Sequence, residues 1–217
     1  MTTTESRPPI AAGEPAPDFS LPAVDGAPIV SLADYRGRSP LFLSLMVGLW
    51  CPFCRRHIAR MGATEAKLKA EGVETVCVVA TPPENAKLYF KFRPTKLRLA
   101  ADPQLTTHRA YGVPRPAVTP EFMEALGATK INPNGELPAP LPVMEAAEKL
   151  GALDGHVGTP VDQADMDRQF PQLKAQFLID QGGVIRWTNY ECAKGLTELG
   201  KIPSDEEILA AVRALPR

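Results

Sequence analysis

Leu41 to Trp50 is a ten-residue apolar run, interrupted only by Ser44 and Gly48, that ends directly on Cys51-Pro52-Phe53-Cys54. It is half the length of about 20 residues needed to cross a bilayer, so it reads as a strand and not as a membrane span. From Leu41 to Val47 nearly every residue is apolar, the pattern of a central strand covered on both faces. Beyond the cysteines a helical stretch runs to about Ala70, with Ile58, Met61 and Leu68 and the small Ala59, Ala63 and Ala66 on one side and Gly72 closing it. Val73 to Ala80 is a second buried strand. Strand, helix and strand in that order predict parallel pairing through a right-handed crossover. The CxxC then stands at the carboxyl end of the first strand, where open α/β sheets bind their ligands.

The remaining elements extend that unit. Phe19 to Leu21 and Ile29-Val30, joined through Asp25-Gly26, predict a small N-terminal hairpin, and Ser31 caps a short helix over Leu32 to Tyr35. Pro83 to Phe92 is a helix, Leu97 to Ala101 a strand, and Gln104 to Tyr111 a helix ended by Gly112. Ala175 to Ile179 and Val184 to Trp187 predict a late antiparallel hairpin. Ser204-Asp205-Glu206-Glu207 opens an amphipathic C-terminal helix. Proline is 23 of 217 residues against a usual share near 5%, and nine of the 23 fall between Val113 and Pro171. That stretch reads as an irregular insertion at about 113–171, with helical spacing at Glu121 to Leu126 and Val143 to Leu150. The expectation is a loose tail over 1–12 and one α/β domain over 13–217, a central mixed sheet flanked by helices.

A net charge of −1, with no polybasic arm, argues against nucleic acid. No segment is apolar enough for a membrane, and the N-terminus lacks a charged region followed by an apolar one, so the expected location is cytoplasmic. Four cysteines, at 51, 54, 77 and 192, are too few for a disulfide framework. In that setting the CxxC needs its own explanation. Pro52 suits the first position of a helix, which leaves Cys51 at its N-terminus, where unpaired N–H groups and the helix dipole stabilise a thiolate. Arg55, Arg56 and His57 in the first turn are expected to add positive potential and lower the thiol pKa from about 8.5. Cys54, one turn on, is placed to close a small-ring disulfide. Competing readings are weaker. A structural zinc site needs four ligands, and Cys51, Cys54 and His57 have no fourth. Haem attachment needs a histidine where Arg55 stands. Neither a metal nor another cofactor is expected.

Other segments resemble a known family. Gly13-Glu14-x-Ala16-Pro17-Asp18-Phe19-x-Leu21-Pro22, Asp25-Gly26, Ser31-Leu32 and Tyr35-Arg36-Gly37 resemble the opening of peroxiredoxins of the alkyl hydroperoxide reductase/thiol-specific antioxidant type. Phe177-Leu178-Ile179-Asp180-x-x-Gly183-Val184-Ile185 resembles that family's late hairpin, and Trp50-Cys51-Pro52-Phe53-Cys54 resembles a thioredoxin-like active site. The matching segments cover roughly 13–112 and 174–214. The resemblance implies a thioredoxin-like fold of peroxiredoxin type and a thiol-dependent reductase. Three departures stand beside it. The family's Pro-x-x-x-Thr-x-x-Cys is replaced by Val47 and Cys51 if Cys54 is the attacking thiol, or by Ser44 and Gly48 if Cys51 is. Lys174 stands where the family's site arginine is expected, a point charge in place of a bidentate fork. The cis-proline of thioredoxins is not found at or beside that position.

Two enzyme readings and one non-enzymatic reading follow. In the first, Cys51 and Cys54 reduce a peroxide and an external thiol donor, a thioredoxin-like protein or a low-molecular-weight thiol, restores them. In the second they reduce a substrate disulfide. In the third the pair is a redox sensor, with the insertion as partner surface. Trp50, Pro52, Arg55, His57 and Lys174 are candidate supporting residues. Cys192 is a further candidate redox thiol or an incidental loop cysteine, Cys77 is read as core, and a homodimer is left open.

Overall fold

The computed structural model describes residues 7–216. Its elements in chain order are β1 (Ser20–Pro22), β2 (Ile29–Ser31), β3 (Leu41–Met46), α1 (Pro52–Ala70), β4 (Glu74–Val79), α2 (Pro83–Phe92), β5 (Arg98–Ala101) and α3 (Thr106–Ala110). There follow α4 (Pro120–Ala128), β6 (Lys130–Ile131), β7 (Leu141–Pro142), α5 (Val143–Leu153), α6 (Pro160–Gln169), β8 (Ala175–Ile179), β9 (Ile185–Tyr190) and α7 (Asp205–Arg213). Five strands form the central sheet in the order β5-β4-β3-β8-β9. β3, β4 and β5 run parallel, whereas β8 runs antiparallel to β3 and β9 antiparallel to β8. This is a mixed, helix-flanked sheet with an N-terminal strand pair.

β3 explains the unbroken apolar run. Alternate residues of a strand face opposite ways. Leu41, Leu43 and Leu45 enter one core layer with Val76, Val78, Phe177, Tyr111 and Ile10, while Phe42 and Met46 enter the other with Ile58, Met61 and Leu68 of α1 and Ile208 and Val212 of α7. Truncating such a fully buried residue, Leu43→Ala for example, costs about 2–5 kcal/mol. Among the described residues no helix is long and apolar enough to cross a membrane.

Residues 7–30 do more than the loose tail expected over 1–12, a span whose first six residues lie outside those described. Ile10 is buried, its N–H donates to Tyr111 O, and its carbonyl accepts from the Tyr190 hydroxyl at 2.8 Å. Further on, Gly13 N donates to Ile185 O and Ala16 N to Gly183 O, both at 2.8 Å, which lays this segment against β9. The β1–β2 hairpin covers the opposite margin through an Ala23–Ala100 bridge and a Val24 N–H to Leu99 O bond of 3.0 Å.

The insertion at 113–171 is more regular than its prolines imply. Prolines stand at the first turn of α4 and of α6, where their missing N–H costs nothing, and just before α5. α4 and α5 extend the two helical spacings read from the sequence, and the β6–β7 ribbon links them. α6 gave no such signal because its two buried residues are polar, Asp165 and Gln169, so no apolar period marks its inner face. Thr159 and Asp162 cap it reciprocally.

Candidate functional site

Cys51 is the residue before α1, in extended conformation (φ −79°, ψ 114°), and Pro52 opens the helix. Its N–H closes a tight turn on Gly48 O at 3.1 Å, and its carbonyl accepts the Arg55 N–H at 3.1 Å. The chain thus leaves β3, turns once and enters α1 with Cys51 at the helix tip. Both cysteines are free thiols. Cys51 retains 8% of its surface and Cys54, one turn deeper, only 1%. The Cys54 thiol donates a hydrogen bond to the Cys51 sulfur, and this bond holds Cys51 below the ordinary thiol range against the opposing effect of burial, with the Lys174 charge assisting. The same bond, together with burial and the Cys51 charge, pushes Cys54 well up. The pair is therefore asymmetric: the outer sulfur gives up its proton more readily than the inner one, which donates the hydrogen bond between them.

The positive charge comes from a different source than the first helical turn suggested. Arg55 is buried and committed. Its Nε and Nη2 form a fork on Asp154 at 2.8 and 3.3 Å, and Nη1 donates to Leu49 O and Trp50 O at 2.8 and 3.0 Å. Arg56 is paired with Glu136. His57 is buried, with 1% exposed, and burial, aided by the Lys174 and Arg60 charges, keeps its imidazole neutral. These residues hold the loop and pack the helix; they do not bathe the sulfurs in positive potential. Lys174 does that. Ala175 pairs with Leu45, which sets Lys174 below the carboxyl end of β3. Its side chain is 2% exposed and forms an ion pair with Glu191, itself 6% exposed. Burial alone would lower the Lys174 pKa, but the Glu191 charge and the two sulfurs outweigh it, so Lys174 stays an ammonium. Glu191 is fixed in turn by N–H groups of Lys174 (3.2 Å) and Gly200 (2.8 Å). Sequence reasoning gave Glu191 no role; its only visible signal is that it directly follows a strand.

Gln169, at the end of α6, is a second residue the sequence did not single out. Its Oε1 accepts from Gly48 N at 2.8 Å and from the Trp50 indole Nε1 at 2.7 Å, while its amide donates to Ala80 O. One side chain thus ties the redox loop, the Trp50 ring and the end of β4 together. Gly48 leaves no room for anything larger, since a Cβ there would stand 2.6 Å from the Gln169 oxygen.

A cavity of about 510 Å³ opens on the two sulfurs. Trp50, Cys51, Phe53 and Cys54 contribute to its floor, and α4, α5 and α6 of the insertion to its walls. Pro171 also lines it, and the Phe170–Pro171 peptide is cis, so a cis-proline stands three residues before Lys174, while none stands at or beside that position. A larger groove of about 900 Å³ runs along another flank of α1 past Arg60 and Arg93 and includes neither sulfur. Cys192 is half-buried in a left-handed conformation (φ 60°) outside the cavity walls, and burial pushes its thiol up to about 12. Cys77 sits fully buried in β4, its thiol held protonated by burial. Among the described residues no group of three or more His, Cys, Asp or Glu is placed to hold a metal ion.

Comparison with known proteins places the chain in a family and agrees with the fold. The AhpC/TSA family model matches residues 12–188. The fold is similar to that of the reduced 2-Cys peroxiredoxin of Plasmodium vivax (TM-score 0.60, 17% identity, 95% of this chain and 82% of that one). It is also similar to the peroxidoxin BcpB of Mycobacterium tuberculosis (0.58, 14%, 95% and 98%). A protein assigned as the thiol:disulfide interchange protein DsbE of Chlorobium tepidum gives 0.55 at 23% identity, over 94% and 99%. No curated protein sequence matches.

Proposed function

Because the chain belongs to the AhpC/TSA family, we propose that it is a thiol oxidoreductase that reduces peroxides through a Cys51/Cys54 dithiol–disulfide cycle. The observation that carries this reading is a lowered-pKa thiol, 8% exposed, at the floor of a cavity, with a protonated partner thiol one turn below it. A folded protein's disulfide needs an open surface around the attacking sulfur, whereas a small peroxide enters a cavity.

The Cys51 thiolate attacks the distal oxygen of a hydroperoxide. The O–O bond breaks, Cys51 becomes a sulfenic acid, and the departing alkoxide takes a proton and leaves as an alcohol. The Lys174 ammonium favours the reacting anions, as an oriented positive charge in a water-poor site does. Cys54 then attacks the Cys51 sulfur. Its proton and the sulfenic hydroxyl leave as water, and a disulfide remains. An external thiol donor, a dithiol protein or two low-molecular-weight thiols, takes the oxidation away by exchange. Four cysteines without a structural disulfide framework suit the reducing cytoplasm.

Steady-state consumption of hydrogen peroxide and cumene hydroperoxide, with a dithiol reductant supplied, tests the reading against a parallel assay on oxidised glutathione and insulin. Peroxide turnover that Cys51→Ser abolishes is the expected result. Cys54→Ser is expected to trap one equivalent of dimedone on Cys51 per peroxide. Dimedone on Cys54, or turnover in the disulfide assay alone, would overturn the assignment.

A further inference from the structure

We propose that the outward face of α2, together with the loop that carries Val157, is a docking surface for an anionic lipid bilayer. Exposed hydrocarbon is the first observation. Leu88 and Phe92 lie one helical turn apart on the solvent side of α2, and Phe92 is 71% exposed. Val157, in the loop between α5 and α6, is 83% exposed and lines a hollow of about 390 Å³ with both of them. Among the described residues, Val157 and Phe92 are the two most exposed large hydrophobic side chains. The Arg93 guanidinium donates to Gly155 O at 3.3 Å, which fastens that loop to the end of α2. One such side chain on a surface needs no explanation. Three of them, from two elements around one hollow, form a contiguous apolar patch of the kind that marks an interaction site. Neither sulfur lines this hollow, so the proposal stands apart from the thiol chemistry.

Charge selects the occupant. From Pro83 to Lys96 four cations, Lys87, Lys91, Arg93 and Lys96, stand against Glu84 alone, in a chain whose net charge is −1. Among the described residues the lysines paired with carboxylates are Lys67, Lys174 and Lys201, so Lys87, Lys91 and Lys96 keep their charge for a partner. Lys91 lies 5.8 Å from the centre of the Phe92 ring, which brings ammonium and hydrocarbon out together. Asp162, the acid that lines the hollow, is already hydrogen-bonded to Thr159 and His156. A second copy of this chain, meeting the first through the same face, would set like charge against like. A shaped acidic protein surface is matched by guanidinium forks, and lysine is depleted in such contacts. Here the one arginine is occupied, by Gly155 O and by the Tyr89 ring at 4.9 Å. Hydrocarbon tips beside flexible ammonium groups suit a bilayer instead: the tips enter the acyl boundary and the lysines stay at the phosphates. Each lysine near an anionic surface strengthens binding about fivefold.

The test is co-sedimentation of the full-length reduced protein with two kinds of vesicle, phosphatidylcholine alone and phosphatidylcholine mixed equally with phosphatidylglycerol. Binding to the anionic vesicles is expected to be at least about tenfold stronger than to the neutral ones. Raising salt from about 0.1 M to about 1 M cuts the screening length from about 10 Å to about 3 Å and is expected to release the protein. Phe92→Ser, and separately Lys87→Gln/Lys91→Gln, are each expected to weaken partition at least about fivefold. Lys194→Gln, exposed beyond β9 at the other margin of the sheet, is expected to leave it unchanged. All these positions are exposed, so the far-ultraviolet circular dichroism of each variant is expected to match that of the parent. Equal binding to both vesicles, no sedimentation at low salt, or a partition that neither Phe92→Ser nor the lysine pair alters overturns the proposal. Binding to immobilised poly-glutamate without binding to vesicles also overturns it, and would assign the face to an acidic polypeptide.

Discussion

Glu191→Gln is the perturbation that asks most of this structure. Glutamine keeps the shape but offers one acceptor oxygen where Glu191 uses two, Oε1 for the Gly200 N–H and Lys174 Nζ and Oε2 for the Lys174 N–H, so the variant removes the charge and one backbone hydrogen bond. With side chains 2% and 6% exposed, Lys174 and Glu191 form a buried pair. Taking away one member strands the other charge out of water, which costs about 3–5 kcal/mol. At a urea slope of about 3 kcal/mol per molar, the upper end of the usual range, the unfolding midpoint of the reduced protein drops by roughly 1–1.7 M. Lys174→Met/Glu191→Leu, with neither charge, is expected to recover most of that loss, because an apolar replacement of similar volume often matches a buried pair. The same variants report on the thiols. Lys174 lowers the Cys51 pKa, so in Lys174→Met the thiolate absorbance at 240 nm emerges at higher pH than in the parent. A Glu191→Gln midpoint within about 0.3 M of the parent, or a double variant whose loss is the sum of the singles, would refute the picture of a buried pair beneath the sulfurs.

Arg55→Ala strips the Leu49 and Trp50 carbonyls and Asp154 of their donor, and chemical denaturation is expected to show a loss of about 3 kcal/mol. Arg55→Lys should restore little, since a point charge cannot serve a fork and two carbonyls together. Gln169→Leu is expected to lower stability by about 2–3 kcal/mol and to shift Trp50 emission to the red, because it frees the indole N–H and orphans Gly48 N–H and Ala80 O. His108 is buried with its pKa held down to about 4 by burial, against about 6.5 in the unfolded chain. Between those values the unfolded state binds a proton that the native state does not, so stability falls as pH drops from 7 toward 4, by about 3 kcal/mol from this residue. Urea unfolding of His108→Gln at pH 7 and 4.5 should show a correspondingly flatter dependence.

The redox strand–helix unit is written locally, which is why it can be read without coordinates. A strand buried on both faces must be apolar throughout, and a proline after Cys51 leaves few choices but a helix start. The same holds for the Ser204 cap and for the hairpin around Asp180. What escapes the sequence is non-local. Glu191 lies 17 positions from Lys174 and Gln169 lies 119 from Trp50, and no period or spacing links them. His57 looks like a solvated charge in a basic helix turn, because only the packing of α1 on the sheet reveals that it is sealed off. The prolines of the insertion read as irregularity when they in fact mark helix starts. α6 conceals itself most completely, since the residues it buries are the polar ones that fasten the loop.

The segments laid along both outer strands have a consequence for the molecule among its own copies. A bare strand margin is a template on which a second chain can add, and then a third. Here Gly13 to Ala16 occupy the start of β9 and the Ala23–Val24 stretch occupies β5. The β5 margin and the entry to β9 are thus occupied from within, so an added strand would first have to displace the chain's own N-terminal segments.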